Sequence, residues 1–260
     1  MLSEDKNIPK SLVLTYVSAF AALNTIANFI PFTPALGIPG SSFRLGWVMA
    51  PLTGILLGAK IGGISCLLSG LIGILLGQPP IFGPFTPLSP AVSASVTSML
   101  FSKKWQIPAM TLSSLILLWL TLPAGRAASI VLIFHIAGLG IILLFRGKIG
   151  DLARSGNAKS ESLGLFLGAY CGNISRHLFG NILSATILDL SATYFISAFP
   201  YTLVEQLTFA VGVMIIGVSL NQMILGSSQL GRYRIPCPEE RASKVLTREL
   251  SYQIVDDCLS

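Results

Sequence analysis

Eight apolar segments, separated by short polar or glycine- and proline-rich connections, constrain the fold of this chain more than any other feature. Lipid offers backbone N–H and C=O groups no hydrogen-bond partners, so apolar segments of this kind cross a bilayer as helices. We therefore predict an all-α polytopic membrane protein, a bundle of six to eight transmembrane helices. The eight segments cover approximately residues 11–30, 45–59, 61–77, 87–102, 107–122, 126–146, 163–188 and 201–225.

Composition favours a membrane protein over a soluble domain. Of the 260 residues, 52% are hydrophobic and 11% are charged, whereas a soluble domain averages about 25% charged residues. The net charge of +6 indicates basic cytoplasmic loops, so no nucleic-acid partner is expected. The four cysteines show no paired spacing, which argues against a disulfide framework or a metal site.

The basic residues predict the orientation of the chain. With the N-terminus inside the cell, fourteen of the seventeen lysines and arginines fall in cytoplasmic connections or in the C-terminal tail. Arg44 and Arg126 fall outside, and Arg176 lies within the membrane. This excess of positive charge on one side predicts that both termini are cytoplasmic (N-in/C-in) and that the number of membrane helices is even.

The chain is predicted to divide into a transmembrane domain and a tail. Residues 1–226 form the transmembrane domain, in which 107–146 is interpreted as an inserted helical hairpin and 147–162 as a basic cytoplasmic linker. Residues 227–260 form a cytoplasmic amphipathic tail, because apolar residues recur at helical spacing after Pro238.

Two proline-rich connections fall on the predicted outer side. The first, PFTPALGIPGSSFRLG at residues 31–46, is predicted to be a shaped loop without regular hydrogen bonding. The second, GQPPIFGPFTPLSPAVSA, leads into the fourth segment. Both fit gates around a mouth and equally fit ordinary connections between helices. The glycine-rich pair of segments between them is predicted to be scaffold, since its glycines let helices cross closely.

The seventh segment contains the stretch GAYCGNISRHLFGNILSA, residues 168–185, in which polar residues interrupt an apolar helix. A central arginine alone costs about 2.5–3.5 kcal/mol on membrane-insertion scales, so a compensating polar site between helices is expected. At 100° per residue, Asn173, Arg176, His177 and Asn181 fall within about 140° of one another and share a face. These four residues are therefore candidates for a binding site.

The last segment supplies a carboxylate. Glu205, in FPYTLVEQLTFAVG, is the one acidic residue within the apolar segments and is predicted to lie near the outer end of its helix. One interpretation is a structural ion pair with Arg176 that satisfies both charges. The other is a ligand site, in which Arg176 meets a carboxylate or another electronegative group and Glu205 accepts from a ligand donor. His135, in its own apolar helix, is predicted to be a hydrogen-bonded packing residue.

Catalytic and energy-coupling motifs are absent from the sequence. It contains no GxxxxGK[ST], HExxH or GxSxG string. We therefore expect neither an enzyme nor a bound cofactor or metal. Three classes stay open: a membrane-embedded binding protein, an independent secondary transporter or channel-like protein gated by the Arg176–Glu205 pair, and a non-catalytic membrane scaffold.

Several of these features together resemble the substrate-binding S component of energy-coupling factor (ECF) transporters. They are the small-residue pair Ser18 and Ala22 in the first helix, the proline-rich first loop, the string PLTGILLGAKIGGISCLLSGLIGILLG, the loop FGPFTPLSPA, and the polar penultimate helix followed by FPYTLVEQ. The resemblance covers residues 11–102 and 163–226. That family commonly has six membrane helices, whereas eight segments are drawn here. The resemblance therefore implies either that 107–146 is an inserted hairpin or that fewer than eight of the segments cross the membrane.

The resemblance implies a subunit of an ATP-driven uptake transporter in a prokaryotic plasma membrane, without ATPase activity of its own. Residues 1–226 would bind a small polar nutrient, for example a vitamin-like compound, in a pocket open to the outside. Ser18 and Ala22 would face a transmembrane T subunit, which joins two ABC-type ATPase subunits. The pocket would be lined by five polar side chains, Asn173, Arg176, His177, Asn181 and Glu205.

Overall fold

The computed structural model describes residues 9–34 and 42–226 of the chain. Among the described residues, those up to Val218 belong to one unit and those from Ser219 to a second. Of the second unit the structure describes residues 219–226, which are helical. The amphipathic tail predicted at 227–260 lies outside the described residues.

Helices account for most of the described chain. Besides the α-helices and the turns that connect them, the described chain contains two strands, β1 (Pro31–Pro34) and β2 (Ser42–Arg44), and two single-turn 3₁₀ helices, Gly83–Phe85 and Ser129–Val131. In chain order the α-helices are α1 (Lys10–Ala27), α2 (Gly46–Leu57), α3 (Ala59–Leu75), α4 (Leu88–Phe101), α5 (Gln106–Thr121), α6 (Pro123–Ala127), α7 (Leu132–Phe145), α8 (Lys148–Ala153), α9 (Ala158–Ile187) and α10 (Ala192–Gly226).

Each of the eight apolar segments contains a helix, which confirms the prediction of a helical protein. Among the described residues, two helices are long and apolar enough to cross a membrane, α1 and the Ala192–Leu220 part of α10. In each of them 28% of the apolar window is buried, so neither resembles the enclosed core helix of a soluble protein. Four shorter apolar helical stretches accompany them: Gly46–Leu57, Ala59–Leu75, Gln106–Thr121 and Ser129–Phe145.

Large apolar side chains lie on the outer surface of the helices. Leu75 and Leu144 expose 84% and 80% of their surface, and Met110 and Leu14 expose 69% and 66%. A surface rich in exposed apolar side chains is typical of protein that meets another protein or a lipid phase. Together with the two long apolar helices, it supports association of this protein with a membrane.

The connection between α1 and α2 contains a short β-ribbon. β1 and β2 pair antiparallel, with Pro31 opposite Arg44 and a register irregularity between Pro31 and Thr33. The prediction of a loop without regular hydrogen bonding is therefore wrong for these residues. The prolines are compatible with pairing because they stand at the two ends of β1, where a two-stranded ribbon tolerates a missing N–H.

The last helix begins earlier than the sequence predicts. α10 begins at Ala192 and continues through Pro200, whereas the last apolar segment is predicted to begin at approximately residue 201. Glu205 therefore lies in the fourth turn of α10, deeper in the helix than predicted. The helix accommodates Pro200 by forgoing the one backbone hydrogen bond that proline cannot donate.

The segment predicted as a cytoplasmic linker is partly helical. It contains α8, which packs along the first turns of α9. Glycine at position 164 permits this contact, because a Cβ there would meet the backbone of Ile149 and Ala153. Lys103 and Asp151 form an exposed ion pair of 3.1 Å that joins the end of α4 to α8.

α9 packs against several helices of the described chain, and these contacts position the candidate site. It contacts α2, α4, α5, α7 and α8. A Cβ on Gly172 would meet Thr97 and the carbonyl oxygen of Ser93, so α4 and α9 approach closely. The hairpin predicted as an insertion, α5 to α7, packs on α9 and contributes Leu112 and Trp119 to the main core. Polar side chains on α9 are consequently enclosed by several helices.

Candidate functional site

The four polar residues predicted on one face of α9 point to three different neighbouring helices. Asn173 and Arg176 are buried, with 0% and 5% of their surface exposed, and His177 and Asn181 are half-buried. Asn173 meets α4, Arg176 meets α2, and His177 meets α7. The shared face is therefore a junction between helices, as expected for a polar stretch whose cost must be compensated.

Arg176 stacks on an aromatic ring. Its guanidinium carbon lies 3.9 Å from the centroid of Trp47, and Phe209 packs edge-on against the same ring at 5.2 Å. A cation over tryptophan away from water gains about 2 kcal/mol. Glu205 adds an electrostatic attraction to Arg176, which the ion-pair interpretation of the sequence predicts. The ring and the carboxylate together offset part of the cost of burying the charge.

Asn173 is oriented by a hydrogen bond from α4. The Ser93 hydroxyl donates to Asn173 Oδ1 over 3.0 Å, and both groups are buried. Because the oxygen end of the amide faces Ser93, the Nδ2 end faces away from it. Nδ2 is buried and has no hydrogen-bond partner, so Asn173 presents a fixed donor to the junction.

Three side chains at the junction retain buried polar atoms without partners. They are Asn173 with Nδ2, Arg176 with Nε and Nη2, and Gln206 with both Nε2 and Oε1. A buried polar group left without a hydrogen bond costs about 1–3 kcal/mol, and natural structures keep few of them. These three residues therefore have hydrogen-bonding capacity that no described protein group uses. All five atoms are closed off from solvent, so side chains around them must move for a ligand to enter.

His135 and His177 form a hydrogen-bonded pair. His177 Nδ1 lies 3.3 Å from His135 Nε2, and His135 Nδ1 lies 3.0 Å from the carbonyl oxygen of Val131. For two neutral rings one proton arrangement satisfies both contacts: His135 Nδ1–H donates to Val131, and His177 Nδ1–H donates to His135 Nε2. His177 Nε2 is then an acceptor. Asn181 Nδ2 lies 3.4 Å from His177 Nδ1. Because that nitrogen carries the proton in this arrangement, the Asn181 amide must turn by 180° to bring its oxygen to the N–H.

The prediction for His135 is confirmed in part. It is fully buried and hydrogen-bonded, as a packing residue should be. Its ring is also nearly parallel to that of His177, with centroids 5.5 Å apart and planes 22° apart, so it belongs to the polar junction. Nothing in the sequence could assign that role, because the two histidines lie in separate helices 42 positions apart.

Three residues that belong to the junction are not among those predicted from the sequence to line the site: Trp47, Ser93 and Gln206. Trp47 and Ser93 are brought to α9 by α2 and α4, and neither carries a local sequence signal. Gln206 has one: it follows Glu205 within an apolar helix, and an amide in that setting needs a partner. The structure buries Gln206 to 1% exposure, whereas Glu205 is half-buried.

Ser18 and Ala22 lie on the exposed face of α1. The opposite face of α1 is attached to the protein by a polar network, in which Asn24 donates to Thr53 over 2.7 Å and Thr25 donates to Ser69 over 3.3 Å. The small-residue pair is therefore not consumed by packing within the described chain. It remains accessible to lipid or to another helix.

In the described part of the chain, no group of three or more histidine, cysteine, aspartate or glutamate side chains could hold a metal ion. Cys66 and Cys171 are buried free thiols on different helices. The nitrogen atoms that His135 and His177 turn toward each other form a hydrogen bond, which leaves no space for an ion between them.

Comparisons with known proteins do not assign the family. No protein-family model matches the chain, and no solved structure matches it. The chain is similar to MJ0923, an uncharacterised protein of Methanocaldococcus jannaschii, with 27% identity over 209 residues, which cover 79% of this chain and 70% of that protein.

Proposed function

We propose that the protein is a membrane-embedded binding subunit for a small polar nutrient. It has no ATPase activity of its own and acts as the S component of an ATP-driven uptake transporter of the energy-coupling factor type. The observation that carries this proposal is the buried junction around Arg176. It combines a stacked cation, a carboxylate and partnerless hydrogen-bonding atoms on three side chains. Binding sites for small molecules typically combine apolar walls with a small number of polar groups that point toward the same place.

We extend the proposal to the arrangement in the membrane. Six to eight of the apolar helices span the bilayer, both termini are cytoplasmic, and the protein resides in a prokaryotic plasma membrane. The exposed apolar side chains and the one-sided basic residues support this arrangement. The helices shorter than about 20 residues would cross where the bilayer adapts to them.

Native mass spectrometry of protein purified in lipid nanodiscs tests the binding function. We expect wild-type protein to carry a small molecule from the cell, and the double variant Asn173→Ala/Arg176→Ala to lose it. The matched control is Arg126→Ala, which removes an exposed arginine outside the junction. A wild-type protein that never carries a small molecule, with the double variant losing only stability, would favour the scaffold class.

Recovery of partner proteins tests the transporter assignment separately. Ser18 and Ala22 are accessible on α1, and small residues let a second helix approach closely. We expect affinity purification of the chain from its own cells to recover a T subunit and two ABC-type ATPase subunits. Ser18→Leu/Ala22→Leu should abolish recovery, while the control Leu14→Ala, also on the exposed face, should not.

A proton-coupled secondary transporter is the second candidate, because histidines within a membrane often relay protons. The hydrogen-bonded pair of His135 and His177 beside Arg176 supports it. Uptake into liposomes by this chain alone, driven by a pH gradient without ATP, distinguishes the two. The binding-subunit proposal predicts no such uptake, and uptake lost in His177→Gln would favour the second candidate.

A further inference from the structure

The partnerless atoms of Arg176 lie on one edge of its guanidinium. Nε and Nη2 are both buried without a hydrogen-bond partner, and in the planar group these two nitrogens direct their N–H bonds the same way. Such a parallel pair of donors matches two oxygens of one acidic group. Stacking on Trp47 at 3.9 Å restrains the group, so the edge is presented in a defined position.

We propose that the ligand carries a carboxylate which Arg176 binds through Nε and Nη2 together, and that Gln206 recognises an amide-like part of the same ligand. This inference rests on the proposed function, because it requires that the junction binds a small molecule. It goes further by naming the chemical class of the ligand and the atoms that select it.

Charge favours a carboxylate over a phosphate at this edge. Glu205 already acts on Arg176 electrostatically, and the seventh and last apolar segments contain no other lysine or arginine. A carboxylate adds one negative charge, whereas a phosphate monoester adds up to two beside the same glutamate. In a medium of low dielectric constant the second charge is strongly repelled.

Gln206 selects the uncharged part of the ligand. Its Nε2 and Oε1 are both buried without partners, so it offers a donor and an acceptor side by side. Phe209, one turn later in α10, packs on Trp47, which brings this part of α10 to the ring that Arg176 stacks on. Amides, lactams and ureido groups present the complementary acceptor and donor. Asn173 Nδ2 supplies a further donor.

The experiment offers the protein a defined mixture of chemically altered probes. The probe is the small-molecule extract of the expressing cells in four aliquots: untreated, methyl-esterified in acidic methanol, esterified and then saponified, and treated with phosphatase. Ligand-depleted protein in nanodiscs is equilibrated with each aliquot, and native mass spectrometry measures the retained mass. We expect retention from the untreated, saponified and phosphatase-treated aliquots and its loss from the esterified one.

Variants then connect the result to the two residues. Arg176→Lys keeps the charge but removes the paired donors, so retention should fall about tenfold or more. Gln206→Met should weaken retention while leaving its sensitivity to esterification. Arg126→Lys, at an exposed position, is the matched control and should behave as wild type. Thermal unfolding of each variant in nanodiscs verifies that it is folded.

The outcomes separate this inference from the proposed function. Equal retention from the esterified aliquot, or loss after phosphatase treatment, overturns the carboxylate assignment while the binding function stands. Wild-type retention by folded Arg176→Lys overturns the role of the paired donors. Retention of nothing from any aliquot by wild-type protein overturns the inference and the proposed function together.

Discussion

Arg176 interacts with residues on two other helices, and the free energy of these interactions can be measured. Trp47 on α2 stacks with it and Glu205 on α10 attracts it. The sequence predicts the Arg176–Glu205 relationship, because these are the charged residues of the last two apolar segments. It could not predict Trp47, since a tryptophan at the start of an apolar helix is ordinary membrane-protein composition. Which aromatic ring meets which cation is decided by helix packing.

A double-mutant cycle measures the stacking. We expect Trp47→Leu and Arg176→Met to be coupled by about 2 kcal/mol in the free energy of unfolding in mixed detergent micelles, because the ring and the cation meet away from water. Trp47→Leu combined with Arg126→Met is the control and should be additive. A coupling below about 0.5 kcal/mol for the first pair would contradict the contact.

The imidazole pair makes a second prediction at this scale. The hydrogen bonds of His135 and His177 require both neutral rings to carry their proton on Nδ1. Nitrogen NMR of ¹⁵N-histidine-labelled protein in bilayers should show two neutral imidazole rings that are protonated at Nδ1. Because the chain has two histidines, the spectrum of His135→Phe assigns both signals. A proton on Nε2 of His177 would contradict the arrangement.

At the scale of elements, glycines determine how closely α9 and α4 approach. Gly172 lies where a Cβ would meet Thr97 and the Ser93 carbonyl, whereas a Cβ at Gly180 on the same helix would have no neighbour within 4 Å. We expect Gly172→Ala to destabilise the protein by about 1–3 kcal/mol through overpacking. Gly180→Ala should be neutral or stabilising by up to about 1 kcal/mol, because alanine favours the helix. Equal effects of the two in a reversible unfolding assay would show that the close contact is absent.

Helices of this chain could be predicted from the sequence because a long apolar segment can satisfy its backbone groups internally as a helix. Two of the wrong predictions involve proline. Pro31 and Pro34 suggest an irregular loop but stand at the two ends of β1, and Pro200 precedes the predicted segment but lies inside α10. In each case proline's missing N–H falls where tertiary structure tolerates it, which local sequence does not reveal.

The sequence predicts the polar residues of α9 and Glu205 of α10, but not the residues that other helices bring to them. Asn173, Arg176, His177 and Asn181 follow from helical periodicity, because 100° per residue places them on one side. Their partners Ser93, Trp47 and His135 lie on three other helices, and one sequence contains no record of which helices pack together. Gln206 is the residue that a stricter search for polar groups in apolar segments would have found.

For the whole molecule, the distribution of basic residues makes a testable prediction about the membrane. In a background without the tail cysteines Cys237 and Cys258, single cysteines at Ser155 and at Arg126 should react differently with a membrane-impermeant maleimide. Arg126→Cys should be labelled on intact cells, and Ser155→Cys only after permeabilisation, because basic connections stay cytoplasmic. Labelling of Ser155→Cys on intact cells would reverse the orientation.

The central claim is that the polar junction inside this apolar molecule is a ligand site and not a structural ion pair. The most direct measurement is the affinity of the co-purified metabolite for protein in nanodiscs, compared between wild type and folded Asn173→Ala/Arg176→Ala. Removing hydrogen bonds to a charged group and to an amide should weaken binding by about 2–4 kcal/mol, or roughly 30-fold to 1000-fold. An unchanged affinity in the double variant would contradict the claim.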